Sequence, residues 1–432
     1  MRFAQSFRAL RIFLVLSFIG ILLATSAWGD SARITSAIDA ASASCKVVSQ
    51  KIHEWKELGQ QEFKSSALLM EELRKLGYKV TGDLKAPEDL VKGGILKTAF
   101  KAELQGKGPG PTITIMLEYD ALANGHSCGH NLIATSGLLA AAGLAKVMAD
   151  TPGRVMVIGT PDEERGSRGM GKVAILEGGH FDGTDVALIT HGGDRWSLDQ
   201  RFLANKRTFF GFRGKSAHAA AAPHMGINAL RAVITMMNNI DSLREHLRQD
   251  VRIHGIITKG GAVVNVVPDY AEAEFSVRAL DTATMEDAFK KVVNCAKAAE
   301  LVSGAKLEFK EPRVFLTAPI DVPPLTAMMR NQITTLGVPE SEIKDFDSFG
   351  SSDLGRVGHA YPTVNLFFKI APEGTSLHSD AMREAAASEE GWKATITAGK
   401  AVALTAYDLL THPEKVKTVQ ESFKQLKAKE GK

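Results

Sequence analysis

Between Thr98 and Thr190 this chain alternates strand-like and helix-like segments, and that alternation restricts the possible folds more than any other feature. Thr98–Leu104 and Thr112–Leu117 read as strands, 131–149 as an apolar helix, and Arg154–Gly159 as a strand. Gly171–Glu177 then reads as a short helix and Asp185–Thr190 as a strand. Short β-branched and apolar runs bounded by turn residues suit buried strands, and helices between them suit parallel crossovers. The pattern predicts an α/β fold with a mostly parallel sheet and helices on both faces. Ahead of it, Ser31 to about Tyr78 carries a helical pattern, followed by a polar loop.

Around residue 204 the rhythm changes. Lys206–Arg213 reads as a strand, Asn228–Leu247 as a helix, and Val251–Thr258 and Ala271–Val277 as strands. Met285–Val302 reads as a helix and Ala305–Lys310 as a strand. The order β-α-β-β-α-β is that of a ferredoxin-like α+β domain. After Pro319 the first pattern resumes, with helix 324–336, strand Thr363–Phe368 and a helix over 388–411. A chain of 432 residues exceeds the usual span of one core. The expected division is a larger domain in two parts, 30–203 and 318–432, with a smaller domain, 204–317, inserted between them.

Residues 1–29 stand apart. Arg2, Arg8 and Arg11 flank the start of the apolar run Ile12–Ala24, and Ala27-Trp28-Gly29 places small residues where a signal peptidase reads. The run is shorter than the roughly 20 residues of a membrane span. The expectation is a signal peptide cleaved before Asp30, a secreted or periplasmic protein, and no stable membrane span. Cleavage removes three arginines and no acid, leaving 49 acidic residues opposed by as many basic ones. Near-neutral charge excludes nucleic acid as the natural partner. Three cysteines, Cys45, Cys128 and Cys295, are too few for a disulfide framework, although Cys45 and Cys295 could pair.

Chemistry-bearing residues gather at predicted strand ends. Glu118-Tyr-Asp120 and Gly125-His-Ser-Cys128-Gly-His130-Asn131 follow the strand 112–117. Thr160-Pro-Asp-Glu163-Glu164 follows 154–159, His191 follows 185–190, and Gly374-Thr-Ser-Leu-His378 follows 363–368. In open α/β sheets this carboxyl edge is where ligands bind. Imidazole and thiolate together suit zinc, and carboxylate widens the choice towards manganese or cobalt. Singly, a Glu-Glu pair reads as surface and Cys-Gly-His as a turn with a buried thiol. The joint placement points to a metal.

Taken together, these motifs resemble the co-catalytic metallopeptidase family of aminoacylases, carboxypeptidases and amidohydrolases. The Cys-Gly-His-Asn form is most similar to its p-aminobenzoyl-glutamate hydrolase and β-alanyl-lysine dipeptidase-like branch. Gly214-Lys-Ser-Ala-His218, Asn265-Val-Val-Pro268, Val277-Arg278 and Ser351-Ser-Asp-Leu-Gly355 extend the likeness over roughly residues 45 to 410. The resemblance implies two divalent metal ions, zinc before manganese or cobalt, on Cys128, His130, Glu164, His191 and His378. It implies Asp120 as the carboxylate orienting a ligand imidazole, and Glu163 as general base on a metal-bridged water. His218 would supply the oxyanion donor from a partner subunit, while Asn265 and Arg278 would clamp a free carboxylate. The inserted domain would be both lid and dimerisation surface of a homodimer. The implied reaction is hydrolysis of an amide in a dipeptide or N-acyl amino acid.

The chain departs from the family at Asn131, where Asp is frequent, at Asp162, where Ala is commoner, and along Arg165–Lys172. Two rival readings stay open: an inactive ligand- or metal-binding protein on the same fold, and a thiol hydrolase using Cys128.

Overall fold

The computed structural model describes residues 3–165, 171–347 and 350–430, with side chains from residue 29 onward. The expected signal segment therefore lies outside the residues whose side chains are described. Among the described residues no helix is long and apolar enough to cross a membrane.

A six-stranded sheet organises the larger part. Its strands are β1 (Lys79–Lys85), β2 (Ile95–Gln105), β3 (Thr112–Leu117), β4 (Arg154–Gly159), β5 (Val186–Gly193) and β10 (Thr363–Lys369), in the order β1-β2-β4-β3-β5-β10. β4, β3, β5 and β10 are mutually parallel, whereas β1 and β2 form an antiparallel edge on β4. The mostly parallel sheet is thus as expected, with one addition. β1 lies where a polar loop was expected, because an edge strand exposes charged side chains and has no apolar run.

Every residue of β3 is buried. Ile113, Ile115 and Leu117 face a core formed with α1 (Phe3–Trp55), α2 (Phe63–Lys75), α3 (His130–Ala145), α7 (Pro323–Thr335), α10 (Glu389–Thr411) and α11 (Pro413–Lys427). Met116, on the opposite side, faces a second core shared with α4 (Gly171–Glu177) and α8 (Leu354–Ala360). Helices cover both faces, so the parallel strands are dry on both sides. α3 is shorter than the predicted 131–149 helix, and the helical pattern before Tyr78 breaks between Trp55 and Phe63. There Lys56 and Gln60 adopt positive φ.

A second sheet, antiparallel in the order β7-β8-β6-β9, follows in the chain. It comprises β6 (Ala204–Arg213), β7 (Arg252–Lys259), β8 (Tyr270–Ala279) and β9 (Lys306–Phe309). α5 (Ala229–Leu243) and α6 (Thr282–Ser303) bury their apolar faces on one side of it around Phe210, Phe212, Phe275 and Phe289. This is the β-α-β-β-α-β order read from the sequence. Asn228 and Asp281 cap these helices with their side-chain oxygens. All three cysteines are free: Cys45 packs in the larger core and Cys295 beside the smaller one, so the suggested pairing does not form.

Candidate metal centre

Parallel strand ends assemble the site. The chain leaves β3 through Glu118 and Asp120, both buried, and returns into α3 at His130. Gly129 makes that entry in the left-handed region, with φ +78, and a Cβ there would lie 3.1 Å from Ile370 Cδ1, so a side chain would be strained and crowded. His130 Nδ1 lies 3.0 Å from Asp120 Oδ1. A proton on Nδ1 donated to this carboxylate turns Nε2 outward as a lone pair. Nε2 is buried and has no hydrogen-bond partner among the described residues.

The other donors close around it. Glu164 Oε1 stands 3.7 Å from His130 Nε2, and Glu164 N–H donates to Asp120 Oδ2 at 2.8 Å. His191, at the end of β5, has Nδ1 at 2.7 Å from Gly192 O and Nε2 at 3.5 Å from Cys128 Sγ. His378 Nε2 lies 3.4 Å from Glu164 Oε2. Its backbone, at φ +66, is tied to the first loop through its N–H on Ser127 O and its carbonyl on Asn124 Nδ2.

Cys128, His130 and His191 form one group whose donor atoms lie within 4.8 Å of one another; Cys128, Glu164 and His378 form a second. All five residues expected as ligands therefore meet, and the two groups share Cys128. An orphaned imidazole nitrogen among a thiol, two further imidazoles and a carboxylate is a donor set suited to zinc-like ions.

Electrostatics follow burial. Burial pushes the Cys128 thiol well up and lifts the Glu164 carboxyl to about 8, while it lowers His191 and His378. For His130, burial opposes the charged ring, but Asp120, Cys128 and Glu164 together outweigh it and raise the ring well above the usual imidazole range. Protons on this cluster are what a bound cation would displace.

Glu163 sits beside Glu164 and groups with Glu118 and Asp353. Between those two carboxylates lies Lys172, with 0% of its surface exposed. Its Nζ is 2.7 Å from Glu118 Oε1 and 2.5 Å from Asp353 Oδ1, and its backbone N–H donates to Asp353 Oδ2 at 2.8 Å. Sequence reading did not assign this trio. Its signal was a lysine inside the small, apolar run Gly171-Lys-Val-Ala-Ile175, where only a buried partner permits a cation.

The cluster floors a cleft of about 540 Å³ whose far wall is aromatic, with Phe202, Phe346 and Phe367 beyond His191. Asn365 joins this wall; it is buried, and its side-chain oxygen has no hydrogen-bond partner among the described residues. Three predicted residues are not brought to the metal cluster. His218 and Asn265 are exposed on the second domain and do not line the cleft. Arg278 lines a separate hollow on the open face of the β7-β8-β6 sheet, and reaches the cleft rim only through Nη1, 3.4 Å from Ser351 Oγ. Two of the family departures point away from the cleft. Asn131 donates to Ser49 Oγ and Ala386 O, and the Asp162 carboxylate is taken up by Arg165 and Gln60. Of the third, Arg165–Lys172, residues 166–170 lie outside the described residues.

A mostly parallel α/β domain with a strand-end donor cluster, plus a ferredoxin-like insert, defines a metallopeptidase-type architecture. The chain belongs to the M20 peptidase family, and it is a hydrolytic enzyme. The profile of the peptidase dimerisation domain matches residues 207–302. The chain is 33% identical over 342 residues to the Xaa-Arg dipeptidase of Mus musculus, covering 76% of this chain and 78% of that protein. It is 33% identical over 271 residues to a p-aminobenzoyl-glutamate hydrolase component of Escherichia coli, covering 57% of this chain and 53% of that one. Among solved structures, a dinuclear metal-binding M20 peptidase from Bacillus subtilis superposes with a TM-score of 0.65 at 20% identity, over 86% of this chain and 99% of that chain. The aminobenzoyl-glutamate utilization protein of Klebsiella pneumoniae gives 0.63 at 21% identity, over 85% and 96%.

Proposed function

We propose that this protein hydrolyses the amide bond of a dipeptide or N-acyl amino acid that bears a free carboxylate. The observation behind this reading is the meeting of Cys128, His130, Glu164, His191 and His378 around an unpartnered His130 Nε2, with Glu163 alongside. Two divalent ions held by those five residues, zinc before manganese or cobalt, would supply the Lewis acidity that activates water and polarises the amide carbonyl. Asp120 fixes the His130 tautomer. Glu163 takes the proton from the attacking water and returns it to the leaving amine. With the second domain closed over the cleft, Arg278 and Asn265 would bind the carboxylate of the leaving half, since a guanidinium fork matches it bidentately.

His218 completes the reaction from across a dimer. Its exposure, away from the cleft of its own chain, supports a site in which the partner subunit's His218 donates to the oxyanion. Residues 204–317 act as lid and dimerisation domain; β7 is an edge strand with Ile256 exposed, and Val264 in the following loop is 99% exposed. Cleavage before Asp30 would deliver the protein to the periplasm or outside the cell. The relatives are named for an Xaa-Arg dipeptide and for p-aminobenzoyl-glutamate, both amides of an amino acid. Cys128 suits a ligand better than a nucleophile, because burial disfavours its thiolate unless a cation holds it.

The test is amide hydrolysis by the chain from Asp30 over dipeptides and N-acyl amino acids, metal-free and with zinc, manganese or cobalt. Metal-dependent release of a free amino acid, abolished in Glu163→Gln, is the expected result. Zinc bound at about two ions per chain with no turnover on any amide would overturn the hydrolase reading in favour of a binding protein.

A further inference from the structure

The turn that presents Glu163 is held from behind by a segment with no part in the mechanism above, the connection between α1 and α2. Asp162, the residue before Glu163, is buried with φ +67. That left-handed conformation costs a residue with a side chain on the order of 1 kcal/mol, so its surroundings must impose it. Besides Arg165 on its carboxylate, the connection does so at three points. Asp162 N–H donates to Glu62 Oε1 at 2.9 Å, and Asp162 Oδ2 accepts from Gln60 Nε2 at 3.0 Å. Gly59 lies so close that a Cβ on it would sit 2.4 Å from Asp162 Oδ1.

The connection is itself anchored. Ala121 N–H, one residue beyond Asp120, donates to Glu57 O at 2.8 Å, and Leu58 bridges to Ala121. On the other side of Glu163, Glu164 N–H ends on Asp120 Oδ2 at 2.8 Å. The amides on both sides of Glu163 thus end on carboxylates from different elements. Glu62 is fully buried, and its second oxygen has no partner among the described residues. Burial, with the Asp120 charge nearby, pushes the Glu62 carboxyl up to about 8, as suits a neutral acceptor. An unpartnered polar atom costs about 1–3 kcal/mol, and an apolar residue here would avoid that cost but could not hold Asp162.

We propose that Glu62 is a positioning residue that locks Asp162 in its left-handed conformation and so aims Glu163 into the cleft, with Gly59 and Gln60 completing the bracket. The inference rests on the reading of Glu163 as general base. Glu62 reaches Glu163 through the Asp162 N–H, and among the described residues it hydrogen-bonds to none of the five donor residues.

The test compares Glu62→Ala and Glu62→Gln with wild type in the full chain. A base displaced by about 1 Å loses on the order of 10²-fold, so Glu62→Ala should lower kcat about 10–100-fold. KM should stay within about twofold, because a base acts in the transition state and not in binding. Glu62→Gln keeps the carbonyl acceptor for Asp162 N–H and should restore most of kcat. Hydrogen exchange over residues 160–165 reads the bracket without substrate: it should rise in the alanine variant and not in the glutamine one. If Glu62→Ala does not fold, Gly59→Ala, which presses a methyl group onto Asp162, must reproduce the kcat loss at constant KM. The proposal is overturned if alanine leaves kcat and exchange unchanged, if glutamine is as impaired as alanine, or if kcat falls only in proportion to bound zinc. A wild type inactive on every amide would sink the hydrolase reading, while exchange would still decide whether Glu62 holds the turn.

Discussion

Replacing Lys172 with methionine keeps most of the side chain's volume and removes its charge from between Glu118 and Asp353. In the native protein Nζ is within hydrogen-bonding reach of both carboxylates, at 2.7 and 2.5 Å, and all three side chains are buried. Burial opposes the charge on Lys172, but Asp353 and Glu118 more than offset it and hold the ammonium above its ordinary range. Without the cation, two buried carboxylates face each other with no positive charge between them. Breaking a buried network by removing one partner costs about 3–5 kcal/mol, a large share of the ~5–15 kcal/mol that holds a typical domain folded. Urea denaturation of metal-free protein at neutral pH reads this as a lower midpoint at an unchanged m-value. The assay needs a second arm, because lost packing would also destabilise. In the triple variant Lys172→Met, Glu118→Gln, Asp353→Asn no charge remains, so it should recover at least half of the loss. A single variant within 1 kcal/mol of wild type, or a triple variant less stable than the single, would refute the reasoning.

Three further outcomes are expected. Glu62 keeps its proton in the folded state up to about 8 and loses it near 4.3 when unfolded. Its contribution is therefore full below the lower value and falls as pH rises through the window, by at most about 1.4 kcal/mol per pH unit. Glu62→Gln cannot ionise, so its urea midpoint should gain on wild type between pH 5 and pH 8; a gap that narrows instead contradicts the assignment. Asp120→Asn, which leaves His130 without its carboxylate partner, should weaken zinc binding about 10–100-fold by competition titration, and unchanged affinity would remove Asp120 from the ligand-orienting role. Dimers mixed from His218→Ala and Glu163→Gln chains should regain about a quarter of wild-type activity, as expected when one of two sites in each heterodimer is intact. No recovery would place His218 in its own chain's site, whereas a His218→Ala parent as active as wild type would place it outside catalysis.

What the sequence disclosed depended on how local its cause was. β3 and β4 were legible because a strand buried on both faces is dominated by apolar and β-branched residues. The second domain was legible because its strands and helices each bury one face, leaving clean periodicity. β1 was not, since an edge strand with one buried residue carries no run to read. The five donor residues span 128 to 378, yet strand ends mark them out, because parallel strands bring their carboxyl ends to one edge whatever the sequence separation. Lys172, Asp353 and Glu62 had no such marker. Each is a single charged residue whose meaning is set by what lies across the fold: Asp353 reaches Lys172 over 181 positions, and Glu62 reaches Asp162 over 100. Asp162 shows the same limit from the other side. Read along the chain it adds a charge beside Glu163, but in the fold that charge is taken up by Arg165 and Gln60. What remains functional there is the twist of its backbone, and backbone conformation imposed by distant carboxylates leaves no trace in local composition. Residues that perform chemistry cluster where the topology must place them, whereas residues that hold them still are found only by following hydrogen bonds outward from the site.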